Sequence, residues 1–391
     1  MFRAKPKNTH MDKINLLYVI TKLELGGAQK QLLSIIDSLD KRRFNVFLFS
    51  AKCGLMVGDA VSIEGLALVR SRWLDRPLNP FKDPLAMFEI YRFIKKNNIQ
   101  IVHTHSSKAG ILGRIGARLA GVRFICHTVH GWSFNDFQPY LLRKVFIGLE
   151  RFVSRFTDRI IVVSLYDKQK GLDNRIGSLN KYRLIRYGIE PAGIDLREPK
   201  IKRELGIDSN ALVVGMVSCL KPQKAPQDFI RLAFLVNKSL KSTKFILIGD
   251  GKMRQPLQRL IDKLGLQRKV ILTGWRRDVF AILPGIDVFV LTSLWEGLPV
   301  SVLEAVSSSV PVVATNTGGV AEVIIDAKTG FLVRPHSIQA MSEKVVILLK
   351  DANLRKQLAK SALDSLNGSF ALGNMVKSNQ DLYETLVSGS N

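Results

Sequence analysis

Two glutamates, Glu296 and Glu304, are separated by seven residues in a stretch whose pattern predicts a strand followed by a helix. The apolar, β-branched run at 288–291 is typical of a buried parallel strand, and Pro299 suits the first turn of a helix. We therefore expect Glu296 in the connecting loop and Glu304 more than one turn into the helix. Because helix N-termini bind anions, this stretch can hold a phosphorylated ligand with hydroxyl groups on both sides.

Lysines follow another predicted strand of the second half. Lys221 and Lys224 lie between an apolar run at 212–217 and a helical pattern that begins near Pro226. A lysine in such a loop can neutralise a diphosphate, whereas a lysine on an ordinary surface would only be solvated. The position at a strand end leaves both interpretations open.

Glycines occur at several predicted strand ends. Gly26 and Gly27 open a helix after the first strand, Gly249 and Gly251 form a Gly-Asp-Gly turn, and Gly318 is predicted to start another helix. Small residues there let the backbone approach a phosphate or sugar, although a tight turn alone explains each one equally well. No Walker sequence is present. Several such ends along one sheet edge indicate a ligand site more strongly than any single turn.

Histidines end two other predicted strands. His130, followed by Gly131, is well placed to meet a ligand at the carboxyl end of its strand. His103 and His105 share one face of a strand, so a metal pair is conceivable, but no acidic residue converges on them. His127 and His130 point to opposite faces. We favour hydrogen-bonded core roles for His103 and His127, and we predict no metal site.

Strand-like and helix-like runs alternate along the whole chain, which predicts an α/β fold with doubly wound parallel sheets. The predicted strands are 14–20, 44–50, 99–104, 123–128, 159–163, 183–186, 212–217, 244–248, 270–273, 288–291, 310–314 and 331–333. The helices expected in the first half are 27–39, 83–96, 108–120, 139–154 and 165–170. Residues 188–200 are the best linker candidate, so two similar halves should face each other across a ligand cleft.

The composition indicates in which cellular compartment the protein acts and which kinds of partner it binds. The 391 residues correspond to about two to three domains. The net charge of +25, concentrated in the first half, favours anionic partners: nucleic acid, an acidic membrane surface or phosphate-bearing substrates. Three scattered cysteines form no disulfide framework, so a reducing cytoplasm is expected. No apolar run reaches a membrane-spanning length. Residues 1–10 are expected to be a disordered basic leader, with Met11 as an alternative start.

One predicted helix has the character of a membrane-surface helix. Residues 139–159 combine apolar and aromatic residues with five arginines and lysines. Such a helix can lie on an anionic bilayer, or it can pack its apolar face on its own sheet. Both interpretations stay open at this point.

Taken together, these motifs resemble family 4 of the retaining glycosyltransferases, in the family's order and spacing from about Ile14 onward. The matching segments are Gly26-Gly-Ala-Gln29, His127-Thr-Val-His130-Gly131, Tyr187-Gly-Ile189, the Lys224 loop, Gly249-Asp-Gly251, Trp295-Glu-Gly-Leu-Pro299 with Glu304, and Gly318-Gly-Val-Ala-Glu322. The resemblance implies a GT-B fold of two Rossmann-like domains. Residues 11–192 with the C-terminal helix 370–391 would form an acceptor-binding domain, and residues 193–369 a nucleotide-sugar-binding domain.

The resemblance also implies roles for individual residues. Glu304 would hold the ribose, and Glu296 the donor sugar. Lys224, helped by Lys221, would hold the diphosphate, and His130 would contact the donor sugar near the reacting carbon. The remaining donor-binding positions implied are Gly26, Gly27, Gly249, Gly251, Gly297, Leu298 and Pro299. The sequence departs from the family at Cys219, where arginine is usual, at Ala225, where glycine is usual, and at Glu190, where aspartate is usual.

The activity expected from this resemblance is transfer of a sugar from a UDP- or GDP-sugar to a glycan or lipid-linked acceptor, in cell-surface polysaccharide or lipopolysaccharide synthesis. Because no Asp-x-Asp occurs, we expect no metal or other cofactor. We expect front-face transfer with retention, in which the departing phosphate takes the acceptor's proton. The protein is expected in the cytoplasm, on the inner face of the membrane. The alternatives are a nucleotide-sugar 2-epimerase of the same fold and a basic nucleic-acid-binding protein. No recognition motif supports the latter, so no nucleic acid partner is expected.

Overall fold

The structure, a computed structural model, describes residues 13–190, 200–366 and 368–389. The predicted leader, Met11 and most of the predicted linker lie outside these residues. The strands are β1 Ile14–Ile20, β2 Phe44–Ala51, β3 Leu66–Ser71, β4 Ile101–His105, β5 Phe124–Val129, β6 Arg159–Val162, β7 Tyr182–Leu184, β8 Val213–Val217, β9 Lys244–Ile248, β10 Val270–Gly274, β11 Val288–Leu291, β12 Val312–Thr315 and β13 Phe331–Val333.

Helices connect nearly all of these strands. They are α1 Gly27–Ser38, α2 Val57–Val61, α3 Lys82–Lys96, α4 Ser107–Leu119, α5 Tyr140–Ser154, α6 Leu165–Asp173, α7 Lys200–Glu204, α8 Pro226–Ser239, α9 Arg254–Lys263, α10 Val279–Ile282, α11 Val300–Ser307, α12 Ile338–Lys350, α13 Ala352–Ser365 and α14 Leu372–Ser388. Short 3₁₀ turns at Pro222–Lys224 and Gly318–Glu322 stand at two of the strand ends that bear predicted site residues.

The strands form two parallel sheets, which confirms the predicted fold class. The first sheet has the order β3-β2-β1-β4-β5-β6-β7, and the second has the order β10-β9-β8-β11-β12-β13. Strands such as β1 and β11 are almost wholly buried because helices cover both faces of each sheet. The strand order reverses direction at β1/β4 in one sheet and at β8/β11 in the other. Ligands of such folds bind outside the carboxyl ends of strands at these switch points.

Two sequence predictions need correction. Strand β3 was not expected, because this edge strand is half-exposed and its burial does not alternate cleanly. The segment after Gly318 is a single 3₁₀ turn, Gly318–Glu322, instead of the start of an α-helix. The backbone N–H of Gly319 donates to the Gly297 carbonyl at 2.8 Å, which ties this turn to the loop after β11.

The last helix returns to the first sheet. The Tyr383 hydroxyl on α14 lies 2.9 Å from the Tyr18 hydroxyl of β1 and 2.6 Å from Nδ1 of His103 in β4. All three side chains are fully buried. Because their polar groups satisfy one another, α14 is held to the first sheet by hydrogen bonds as well as by apolar packing.

Candidate active site

A cleft with a volume of about 350 Å³ opens where the carboxyl ends of the two sheets face each other. Its walls come from both halves of the chain and include most of the predicted donor-binding positions. The lining residues among those positions are Gly26, Gly27, His130, Lys221, Lys224, Gly249, Glu296, Leu298, Pro299 and Glu304. Segments up to 278 positions apart in sequence therefore meet at one site, as the two-domain interpretation requires.

The loop between β11 and α11 forms one wall. Glu296 lies in this loop, Pro299 is the N-cap of α11, and Glu304 is in the second turn of the helix. The start of α11 faces the cleft through Pro299, Val300 and Ser301. A helix N-terminus carries backbone N–H groups without intrahelical partners and a partial positive charge, so this wall is suited to a phosphate.

Each of the two glutamates is paired with a lysine. Lys224 donates to Oε1 of Glu296, and Lys30 of α1 donates to Oε1 of Glu304 at 3.0 Å. Both carboxylates are largely buried, whereas the lysines are more accessible. The Lys30 pair crosses the cleft from the first domain to the second. A ligand hydroxyl that binds Glu304 must therefore share this carboxylate with Lys30.

Lys221 supplies a second cation near Lys224. Burial, and then the neighbouring charge of Lys224, lowers the pKa of Lys221 to about 8. Cys219 lines the same part of the cleft, and Arg76 reaches it from the loop after β3. Such a group of like charges is costly to hold together and is stabilised by an anion. The arrangement fits a diphosphate.

The first domain approaches the second closely at two glycine positions. A Cβ atom on Gly27 would lie 2.8 Å from a Val300 methyl group, and a Cβ on Gly297 would lie 2.8 Å from the His130 carbonyl group. Any larger residue at either position would push the two walls apart. Gly249 has a φ of 128°, lines the cleft and packs on the Ser218 carbonyl. Gly251, by contrast, packs on the Leu220 carbonyl outside the cleft lining.

His130 lies on the first-domain wall, and both of its ring nitrogens bond to protein groups. Nδ1 lies 2.6 Å from the Tyr187 hydroxyl, and Nε2 lies 2.8 Å from Nδ1 of His105. Burial lowers the pKa of His130 to about 4, so the ring is neutral at neutral pH. His103 and His127 have core partners as expected: Thr128 and Tyr383 for His103, and Thr104 for His127.

Two structural findings concern metals and membranes. Within the described part of the chain, no three His, Cys, Asp or Glu side chains come close enough together to hold a metal ion. Across the same residues, no helix has both the length and the apolar character needed to cross a bilayer.

Sequence reasoning missed four residues of the site: Lys30, Arg76, His105 in its bond to His130, and Tyr187 as a cleft residue. Lys30 directly follows the Gly26–Gln29 motif, and Tyr187 stands within a motif already noted, so position alone could have suggested them. Arg76 lies in a connection without any motif, and no sequence signal points to it.

Comparison with known proteins agrees with this geometry. Residues 25–192 match the family described as Glycosyltransferase Family 4, and residues 197–364 match Glycosyl transferases group 1. A protein of Escherichia coli, the UDP-Gal:alpha-D-GlcNAc-diphosphoundecaprenol alpha-1,3-galactosyltransferase, is 32% identical over 97% of this chain and 99% of its own length. The chain belongs to glycosyltransferase family 4.

Other similar proteins agree with this assignment. An N,N'-diacetylbacillosaminyl-diphospho-undecaprenol alpha-1,3-N-acetylgalactosaminyltransferase of Campylobacter jejuni is 26% identical to this glycosyltransferase over 76% of the chain and 80% of its own length. Among solved structures, Anabaena HepE in complex with UDP-glucose superposes with a TM-score of 0.81 at 21% identity, over 96% of this chain and all of that one. WaaG, a glycosyltransferase involved in lipopolysaccharide biosynthesis, superposes with a TM-score of 0.77 at 16% identity, over 94% of this chain and 99% of that one. These two likenesses show the shared fold.

Proposed function

We propose that this glycosyltransferase moves a sugar from a UDP- or GDP-sugar to a lipid-linked acceptor, with retention of the anomeric configuration, in the synthesis of a surface polysaccharide. The observation that carries the proposal is the cleft in which Glu296, Glu304 and the start of α11 lie beside Lys221 and Lys224. A nucleotide sugar has ribose hydroxyls, a diphosphate and sugar hydroxyls in one line. The cleft offers two carboxylates, cations and a helix N-terminus, the groups that such a ligand needs.

The residue roles in this proposal follow from charge. Glu304 accepts hydrogen bonds from the ribose hydroxyls, and Glu296 accepts them from the donor sugar. As the bond between sugar and phosphate breaks, negative charge grows on the leaving diphosphate and positive charge grows on the sugar ring. Lys221, Lys224 and the N-terminus of α11 stabilise the leaving group, so the proposed reaction requires no divalent metal.

Inversion would require a general base on the face opposite the departing phosphate, and we propose retention because neither Glu296 nor Glu304 is free for that task. Glu296 and Glu304 both stand on the second-domain wall, and each is already neutralised by a lysine. The acceptor hydroxyl would then attack on the face from which the phosphate departs and would give its proton to that phosphate.

The acceptor is proposed from two independent observations. Two of the similar proteins are named for acceptors in which a sugar is linked through a diphosphate to undecaprenol. In addition, α5 is apolar toward solvent: Leu141 is 75% exposed and Tyr140 74%, with Val145 and Phe152 about half exposed. An apolar face of this kind, with basic residues beside it, suits the surface of an anionic bilayer where such an acceptor resides. Membrane docking on the cytoplasmic leaflet is part of the proposal.

A transfer assay tests the enzymatic proposal. The protein is first screened by thermal shift against UDP- and GDP-sugars, since a bound ligand raises the melting temperature. The stabilising donor is then incubated with a polyprenyl-diphosphate sugar, with and without EDTA. The expected product is a disaccharide lipid whose new linkage has the donor's anomeric configuration, formed equally with EDTA. An inverted linkage refutes retention, and release of only an epimerised sugar nucleotide favours the epimerase alternative.

Flotation with liposomes tests the docking proposal. The wild-type protein should float with vesicles rich in acidic phospholipid at low salt, and the Tyr140→Glu/Leu141→Glu variant should stay at the bottom. Ile325→Glu, a change at a half-exposed apolar residue of the second domain, is the control and should float like the wild type. Equal flotation of all three proteins would exclude α5 as the docking surface.

A further inference from the structure

Five lysines and arginines line the cleft, and most of them are already neutralised by carboxylates. The pairs are Lys30 with Glu304, Lys224 with Glu296, and Arg276 with both Glu204 and Asp278. The other two, Arg76 and Lys221, have no ion pair and no side-chain hydrogen bond within the described parts of the chain. They carry the positive charge that remains available to an anionic ligand.

These two unpaired cations come from different domains. Arg76 lies in the loop after β3 of the first sheet, and Lys221 lies in the loop after β8 of the second. Burial and the charge of Lys224 lower the pKa of Lys221, and the charge of Arg76 adds a smaller effect in the same direction. Arg76 and Lys221 therefore repel each other across the cleft, and an anion between them would turn this repulsion into attraction.

The loop holds Arg76 between two anchored neighbours. On one side, Leu74 is 2% exposed, and its backbone N–H donates to the Ser71 hydroxyl at 3.0 Å. On the other side, the Pro77 carbonyl accepts from the ammonium group of Lys108 at 2.5 Å. A backbone fixed in this way loses little further freedom when a ligand binds, so more of the contact energy contributes to affinity.

A diphosphate needs more positive charge than Lys221 supplies. The diphosphate of a sugar nucleotide carries about two negative charges, and the released nucleoside diphosphate carries about three at neutral pH. Lys221 contributes at most about one positive charge, and the N-terminus of α11 about half of one. The guanidinium of Arg76 supplies the next charge, and it can donate two parallel N–H bonds to phosphate oxygens.

We infer that Arg76 is a catalytic residue that binds the donor diphosphate from the first domain and stabilises it as the leaving group. The inference rests on the proposed function, because it takes the ligand between Arg76 and Lys221 to be a sugar nucleotide. Since Arg76 and Lys221 belong to different domains, the diphosphate also joins the two walls of the cleft.

The proposed lipid-linked acceptor contains a diphosphate as well, so the two sources must be distinguished. Arg76 lines the same cavity as Lys221, Lys224 and the start of α11, which are the groups proposed to hold the nucleotide. The shared cavity favours the donor diphosphate as the ligand of Arg76.

Arg76→Met tests the inference, since it removes the guanidinium and keeps an unbranched side chain at an exposed position. In calorimetry, the dissociation constant of UDP or GDP should rise about tenfold, as expected for lost hydrogen bonds to a charged group. The value of kcat/KM for the sugar nucleotide should fall about a hundredfold, because negative charge grows on the diphosphate in the transition state. The KM for the lipid-linked acceptor should stay within about twofold.

Two further variants serve as controls. Arg76→Lys keeps the charge and loses the planar fork, so the dissociation constant should rise only about threefold. Arg72→Met removes an arginine of the same loop that is exposed but does not line the cleft. It should bind UDP or GDP within about twofold of the wild type, and all three variants should melt near the wild-type temperature.

The outcomes separate this inference from the proposed function. Unchanged UDP and GDP affinity in Arg76→Met, with transfer by the wild type present, overturns the inference and leaves the proposed function intact. A rise in KM for the acceptor alone overturns it too and assigns Arg76 to the acceptor diphosphate. Equal losses in Arg72→Met and Arg76→Met overturn it because they show only an effect of net charge. A wild-type protein that binds no nucleoside diphosphate and no sugar nucleotide overturns both.

Discussion

The role proposed for Glu304 can be tested by changing its charge without changing its shape. Glu304→Gln keeps the length of the side chain, which is only 5% exposed and whose Oε1 accepts from Lys30. If the Glu304 carboxylate binds the two ribose hydroxyls, the glutamine variant replaces two charge-assisted hydrogen bonds with two neutral ones. The loss is about 1–3 kcal/mol in total, so the dissociation constant of UDP or GDP should rise about 5- to 150-fold.

Lys30 must be separated from this effect, because it also loses its ionic partner in Glu304→Gln. Lys30→Met removes the cation and keeps the aliphatic stem. The pair is partly accessible at the lysine, so its removal alone should change nucleotide affinity by less than about fivefold. A cycle of the wild type, the two single variants and the double variant then isolates the contact between Glu304 and the nucleotide.

Isothermal titration calorimetry with UDP and GDP is the suitable assay, since it needs no acceptor. The account predicts that Glu304→Gln weakens binding in the Lys30→Met background as well as in the wild type. If the glutamine change has no effect once Lys30 is gone, Glu304 serves only to hold Lys30. The ribose role would then be wrong.

Two further predictions concern charge. Because the pKa of Lys221 is about 8, its positive charge is lost as pH rises. UDP affinity measured by calorimetry should therefore fall between pH 7 and pH 9, a range in which the diphosphate, whose last pKa is about 6, is already mostly ionised. Lys221→Arg should remove this fall, and an equally steep fall in that variant would contradict the assignment. In the core, Glu150 pairs with buried Arg114 at 2.7 Å. Glu150→Ala should lower the free energy of unfolding in urea by about 3–5 kcal/mol, because the arginine charge stays buried. Asp136→Ala, which breaks an exposed pair, should have little effect, and equal losses would contradict the burial argument.

Local patterns were enough to predict most of the fold. Four strands begin and end at the expected residues, because apolar β-branched runs between turn residues have few alternatives: Ile14–Ile20, Lys244–Ile248, Val288–Leu291 and Phe331–Val333. The exception, β3, lies at a sheet edge where one face stays half-exposed. Its pattern therefore resembles that of a loop.

The sequence predicted only those features of the site that depend on one continuous segment of the chain. The β11–α11 connection predicted the loop position of Glu296 and the helical position of Glu304, since both depend on neighbouring residues. Lys30 meets Glu304 from 274 positions away, and this pairing depends on how the two sheets face each other. The hydrogen bonds from His130 to His105 and Tyr187 likewise depend on strand order. Such contacts leave no periodic signal in the sequence.

The most direct test of the central claim is a crystal structure of the protein with a bound UDP- or GDP-sugar. We predict the ribose hydroxyls within about 3.2 Å of the Glu304 carboxylate, the diphosphate beside Lys221 and the start of α11, and the sugar beside Glu296. A nucleotide sugar bound outside the cleft, or one whose ribose lies away from Glu304, would contradict it.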